Sequence, residues 1–389
     1  MTHRKRLLNV LKGDKPDRIP WIPRIKLWYE FHKQNGTLPP RYEGCSRREI
    51  ERDLGMGTPA REGRVFEIQL DEDIEVSRKS NRGETLIRYE TPIGSVNSKK
   101  SSALEQYGKE TVEHLIKSED DYRTVEYIIE NLHFEPTYEN YLEYRREVGE
   151  DGVPLTVVGL WPPGGTGEHC PMHRILRDFL GYERGYRHLL KKCPEKIRHL
   201  NRVLTDKAEE MHQIVLNSPA ELILHGSHFD IQMTPPYIYE DYFLPYFRDF
   251  AEKVHKSDKK LGCHLDAETD GLYELIAESG FDFVECFATT PLVNNTTIEE
   301  ARRKWKDKIV IWGGIPSIIL EKSYSESKFK NYLLNLFKTI EPGDDFVLGI
   351  SDNLMPGSKF DRVVLISSLV KACCEYPLDV ENVKSFLSM

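Results

Sequence analysis

Nothing in the 389-residue sequence approaches the run of about 20 apolar residues that a membrane helix needs. The N-terminus, MTHRKRLLNVLKGDKPDR, also lacks the apolar stretch and small-residue cleavage site of a secretory signal, so a cytoplasmic address is expected. Excess positive charge is missing: 54 Lys+Arg against 63 Asp+Glu give a net charge of −9. That excludes a general nucleic-acid binder, which needs a cationic face to displace counterions from phosphates. The seven cysteines contain no CxxC pair and include the adjacent Cys373 and Cys374, so a disulfide frame is not expected. Cys170, Cys263, Cys373 and Cys374 read as buried filler. There is no GxGxxG after the first strand, and GGTG at 164–167 lacks the Lys and Ser/Thr of a phosphate loop. Repeats, low-complexity tracts and long Gly/Ser linkers are absent, which favours one continuous domain over 1–389.

What is present is a core-forming composition, with 39% hydrophobic and 30% charged residues. Residues 2–12 have the spacing of a short amphipathic helix, followed by a proline-punctuated apolar strand around 18–22. The stretch 83–98, rich in β-branched residues around a PIG turn, joins 64–78 in an inserted hairpin or small sheet. Beyond residue 150, short apolar runs at 154–160, 221–226, 260–265, 281–287, 308–315 and 345–350 alternate with amphipathic segments of helical period. Each such helix must cross back over the sheet before the next strand, so the strands lie parallel. Adding the strand at 18–22 and one from 64–98 brings the count to about eight. The expected fold is α/β: a TIM (β/α)8 barrel with an N-terminal helical extension and an inserted β-hairpin, the alternative being an open doubly wound sheet.

Parallel barrels carry their reactive groups just past the C-terminal ends of the strands. Those positions are unusually polar here. WPPGGTGEHC follows 154–160, with Trp161, His169 and Cys170; then come His225, His228 and Asp230; His264, Asp266 and Glu268; Glu285 and Cys286; and Asp352 with Asn353. His264 and Asp266 are two apart, so in extended chain both face one side. Glu285 and Cys286 are adjacent, so in a regular strand only one faces the interior, Cys286 replacing Glu285 if the register shifts by one. Imidazole with carboxylate or thiolate at three protein positions suits catalytic zinc, making His264, Asp266, Glu285 and Cys286 the candidate ligands. The bland alternative is a salt-bridged polar plug in the barrel mouth.

Several segments together, KPDRIPWIP, ETPIGS, ILHGSHFD followed by a helix ending LPYF, GCHLDAETDG, WGGI and FVLGISDNLMPGS, resemble the uroporphyrinogen decarboxylase superfamily over nearly the whole chain. The TPIG turn and HLDA segment are more similar to its corrinoid-dependent methyltransferases than to the haem-pathway decarboxylases. The resemblance implies a TIM barrel, often zinc-containing, that passes a methyl group to or from a cobalamin carried by a partner corrinoid protein. Two departures stand out. WIPRIKLWYEFHKQNG offers only Arg24 and Lys26 where the decarboxylases have an arginine-rich segment, which counts against a polyanionic substrate. Thiol-activating methyltransferases use a His-x-Cys pair and a later Cys, whereas Asp266 stands at the first Cys position and the later one falls around Ser351 and Asp352.

Fewer thiolate ligands leave a metal the stronger Lewis acid, which helps a poor leaving group. The expected reaction is therefore demethylation of a small methyl ether, such as a methoxyaromatic, with transfer of the methyl group to cobalamin. His228 and His225 are candidates for protonating the ether oxygen, and Asp352 for orienting a histidine or joining the ligands. Trp161, Trp28 and Tyr29 are candidate walls for an aromatic substrate. The alternatives are cofactor-free decarboxylation of a tetrapyrrole and a non-catalytic barrel that binds a metal or small ligand.

Overall fold

A computed structural model describes residues 1–101, 110–159 and 168–388. Trp161 and the 164–167 glycine run lie outside the described residues. The chain divides into two compact units, one of Arg64–Tyr138 and Val158–Ser218, the other of Met1–Gly63, Glu139–Val157 and Pro219–Met389.

The first of these contains an antiparallel pair, β1 (Phe66–Leu70) with β6 (Leu132–Pro136). It also contains a four-stranded antiparallel sheet of β2 (Glu75–Asn81), β3 (Glu84–Thr91), β4 (Gly94–Ser101) and β5 (Glu110–Glu113). Arg82 and Gly83, both with positive φ, form the two-residue turn between β2 and β3, a geometry whose twist matches that of the strands. Thr85, Ile87 and Tyr89 alternate inward along β3, while β2 is exposed throughout. Of the expected hairpin or small sheet, the inserted element is the sheet, and 64–98 supplies these antiparallel strands in place of a barrel strand.

The other unit carries a six-stranded parallel sheet in sequential order: β7 (Leu155–Val157), β8 (Leu222–Ser227), β9 (Lys260–His264), β10 (Phe283–Phe287), β11 (Val310–Pro316) and β12 (Phe346–Ser351). Helices Leu244–Lys256, Tyr273–Glu278, Ile298–Trp305 and Glu326–Ile340 return the chain between successive strands, as parallel pairing requires. Two extended segments continue the hydrogen bonding at the sheet's margins. Ile22 N donates to Leu348 O (2.9 Å) and Leu348 N to Pro20 O (2.8 Å), which sets 20–22 beside β12. Gly57 N donates to Trp21 O (2.8 Å), and Leu155 N on β7 donates to Ala60 O (2.9 Å).

Helix His3–Leu11 is capped by the Thr2 hydroxyl and buries Leu7, Val10 and Leu11. These pack with Leu155, Leu222, Phe283, Val310 and Val347, residues at the N-terminal starts of the strands. Hydrocarbon thus fills one end, and polar side chains collect at the other. Gly262 is required here, since a Cβ on it would lie 2.2 Å from the Phe283 ring.

Candidate metal centre

His264 ends β9, and its ring is engaged on both sides. Nδ1 lies 2.6 Å from Glu285 Oε2 on β10, and Nε2 lies 3.3 Å from Asp266 Oδ2. The two-residue alternation read from the sequence thus brings His264 and Asp266 together. Asp266 Oδ1 in turn meets His228 Nδ1 at 2.6 Å.

The expectation that Glu285 and Cys286 compete for one inward position is corrected. The β10–β11 register shifts between Glu285 and Phe287, and Cys286 takes φ +60°. Such a bulge adds a residue to one strand, so consecutive side chains turn the same way. Cys286 Sγ donates to Glu285 Oε1 (3.1 Å) and to Asp352 O (3.4 Å). His228 and Asp352, just past β8 and β12, are left-handed too, at φ +54° and +64°. That conformation is costly for non-glycine residues and concentrates at functional sites.

Two arginines complete the cluster. Arg24 donates to Cys286 Sγ (3.3 Å) and to Asp352 Oδ1 (3.2 Å), and Arg61 lies 3.5 Å from Glu285 Oε2. The sequence pattern misses Arg61 and weighs Arg24 only against a polyanionic substrate. A signal exists, because each follows one of the segments, 20–22 and 57–60, that border the sheet. The regular alternation that directs attention to strand ends begins only beyond residue 150.

Burial would lower the His264 pKa, but Asp266 and Glu285 outweigh it and hold the imidazolium well above its ordinary range. Burial would raise both acids. His264 and His228 keep Asp266 well below the usual carboxylate range, and Arg61 with His264 does the same for Glu285. Burial and the Glu285 charge push the Cys286 thiol up, against Arg24. A proton shared among acids thus sits where a cation's charge would.

The donors fit such a cation. One nitrogen, oxygen or sulfur each from His264, Glu285 and Cys286 lies within 4.8 Å of the others, and His264, Asp266 and Asp352 form a second group on the same criterion. Among the described residues these are the only such groups, and both contain His264. The first is buried, with exposures of 4%, 0% and 3% for His264, Glu285 and Cys286. Imidazole, carboxylate and thiolate together suit a borderline-soft divalent ion such as zinc. The predicted ligands thus divide into two groups, with Asp266 outside the first.

Other predicted residues lie elsewhere. Leu222 and Leu224 face the core, so the odd residue His225 points outward to helix Leu244–Lys256. There it meets the Tyr246 hydroxyl at 2.8 Å and the ring edges of Phe247 and Phe250, a packed position that cannot reach the cluster. Trp28 is buried and stacks on Phe360 at 4.2 Å, and the Tyr29 hydroxyl donates to Cys45 O (3.0 Å). Both are packing residues, not pocket walls.

Residues 181–373 match the sequence profile of the uroporphyrinogen decarboxylase (URO-D) family, a stretch containing the last five parallel strands and all of the cluster except Arg24 and Arg61. The resemblance to that family read from the sequence is borne out over these residues. No curated protein matches the sequence. Among solved structures, a methyltransferase from Methanosarcina mazei superimposes with a TM-score of 0.55 at 12% identity, covering 100% of this chain and 98% of that one. The likeness is one of fold. No helix among the described residues is long and apolar enough to cross a membrane.

Proposed function

We propose that this protein is a zinc-dependent methyltransferase that moves a methyl group from a small methyl ether, such as a methoxyaromatic, to the cobalamin of a partner corrinoid protein. The reading is carried by one observation: imidazole, carboxylate and thiol converge within 4.8 Å at buried strand tips. The full-length likeness in fold to a methyltransferase supports it. The hydrogen bonds of 20–22 to β12 and to Gly57, and of Ala60 to β7, support a closed (β/α)8 barrel with those segments as first and second strands.

His264, Glu285 and Cys286 would hold the zinc, with Asp266 and Asp352 beside them. Bound there, zinc supplies the Lewis acidity that makes an ether oxygen a better leaving group. His228 is hydrogen-bonded to Asp266 and its side chain is 30% exposed, so it can meet a substrate while Asp266 holds its ring in place. In the reaction the carbon–oxygen bond breaks with its electron pair left on oxygen, which takes the His228 proton. The methyl carbon bonds to cobalt(I) through the cobalt's own electron pair. Arg24 and Arg61 offset the charge of the acids and add positive potential toward the oxygen as it becomes negative. Exposed Met233 and Tyr237 follow β8, and exposed Ile318 follows β11, apolar groups suited to the contact of a partner's corrin ring.

A decarboxylase reading is favoured by the same two arginines, which are carboxylate binders by geometry. Binding of a polycarboxylate porphyrinogen would decide for it. The methyltransferase reading is tested by metal analysis of protein purified without chelator, then by cob(I)alamin methylation across a panel of methyl ethers. Bound zinc and donor-dependent methylation are expected. Full transfer by metal-stripped protein, or none with any donor, overturns it.

A further inference from the structure

Beyond the cluster, a second set of acids lies in register with it. Asp230 is two residues past His228, and Glu268 is two residues past Asp266. Neither touches the candidate ligands. Asp230 Oδ1 accepts from Gln232 N (2.9 Å) and Met233 N (3.3 Å), turning its own loop. Its other oxygen accepts from Glu268 N at 3.3 Å, and Ile231 N donates back to Glu268 O at 2.8 Å. The β8 loop is thereby tied to the β9 loop.

Glu268 makes the next tie. Its Oε2 accepts from Asn294 N (2.7 Å) and Asn295 N (2.9 Å) in the loop after β10, and its Oε1 accepts from the Thr296 hydroxyl. Thr296 is fully buried, and its hydroxyl oxygen also accepts from Thr269 N (2.8 Å) and Asp270 N (3.2 Å). One donor and two acceptor sites are thereby filled, and the Thr269 hydroxyl lies 3.5 Å away. Burial would raise the Glu268 carboxyl, but Thr296 and the amides outweigh it and hold it below the usual range.

We propose that Glu268, acting with Asp230 and Thr296, is a positioning residue that sets the spacing of the three strand tips bearing His228, His264 with Asp266, and Glu285 with Cys286. Sheet hydrogen bonding at these tips is thin. Across them run His228 N to His264 O (3.1 Å), Leu265 N to Glu285 O (2.9 Å) and Ala288 N to Leu265 O (2.8 Å). Beyond those bonds the loops are joined by Ile231 N to Glu268 O, by the Thr296 hydroxyl and by the two carboxylates, of which Glu268 alone reaches both neighbouring loops. Metal donors must be held to about 0.5 Å, which rotamers on unfastened tips do not achieve. The consequence for metal binding rests on the zinc reading above; the fastening of the tips does not.

The test uses the full chain with Co(II) as probe and two readouts. In the first, Glu268→Ala is expected to bind Co(II) about 10–100-fold more weakly and with shifted visible bands. Glu268→Gln, which keeps an acceptor for the two amides, should recover most of the affinity. Wild-type affinity and spectrum in Glu268→Ala overturn the proposal. If wild-type protein takes up no Co(II), the zinc reading fails, and the second readout decides alone. That readout is hydrogen–deuterium exchange without metal. Faster exchange in Glu268→Ala across 264–266 and 285–288 supports the proposal, and acceleration confined to 290–297 overturns it. Should Glu268→Ala not fold, Thr296→Val, which removes the same tie from the other side, is read by the same two criteria.

Discussion

Two of the buried histidines among the described residues, His264 and His169, each meet a carboxylate, and they have opposite electrostatics. His264 sits between Glu285 and Asp266, one acid at each ring nitrogen, and is held protonated. In the other unit, His169 Nδ1 meets Asp178 at 2.7 Å, but its Nε2 faces Arg177 at 3.2 Å, and Arg174 takes the same Asp178 oxygen at 2.6 Å. An arginine can only donate, so Nε2 must accept and the ring is neutral. Burial, with Arg174 and Arg177 opposing Asp178, pushes His169 down to about 4. The number of acids per imidazole, less the guanidinium groups facing it, decides the outcome. Two acids around one ring leave a positive charge that a metal can replace, whereas one acid shared with arginines leaves a closed structural knot.

The largest effect that would break this comparison is on metal binding. His264→Ala should weaken Zn(II) or Co(II) binding about a thousandfold or more, beyond the 10–100-fold typical of an outer partner, and methyl transfer should go with it. His169→Ala should leave metal content unchanged by elemental analysis. Equal loss in both variants would erase the distinction.

Next comes stability. Asp178→Asn removes the negative charge facing Arg174, which is 1% exposed, and should cost about 3 kcal/mol in denaturant unfolding without altering metal affinity. The pH dependences should then diverge. His169 is neutral when folded and takes a proton more readily when unfolded, so its contribution to stability should fall by about 3 kcal/mol as pH drops from about 6.5 to about 4. His169→Gln should flatten that slope. A metal must displace both the His264 proton and the Cys286 thiol proton, so affinity should rise about a hundredfold per pH unit above neutrality until one of the raised pKa values is passed. A flat profile would mean that His264 is not a ligand. The smallest effect belongs to Trp28→Phe, expected to cost about 1 kcal/mol through lost contact with Phe360 while the donor KM stays unchanged.

Much of the parallel sheet is legible in the sequence because six apolar runs alternate with helical periods, and alternation alone aligns His264 with Asp266. The same rule, applied to Leu222 and Leu224 as core residues, turns His225 outward, so its exclusion from the cluster follows from strand periodicity. That Cys286 joins Glu285 at the cluster instead of replacing it is not legible, since a bulge depends on pairing with β11 and not on the local sequence. Arg61 is hidden because 57–60 is too short to show a strand period; only its bonds to Trp21 and Leu155 reveal it. His169 and His264 look alike in one dimension, each near an acid and past a strand.

Composition and periodicity by themselves determined a core-rich α/β chain, parallel strands and the end at which reactive groups gather, because burial and backbone pairing act on every residue in the same way. Tertiary structure alone decided which of those groups meet. Contacts of a few ångströms between His264, Glu285, Cys286 and Arg61 join residues far apart in the chain. Their charge states are sums over neighbours that only the folded arrangement supplies.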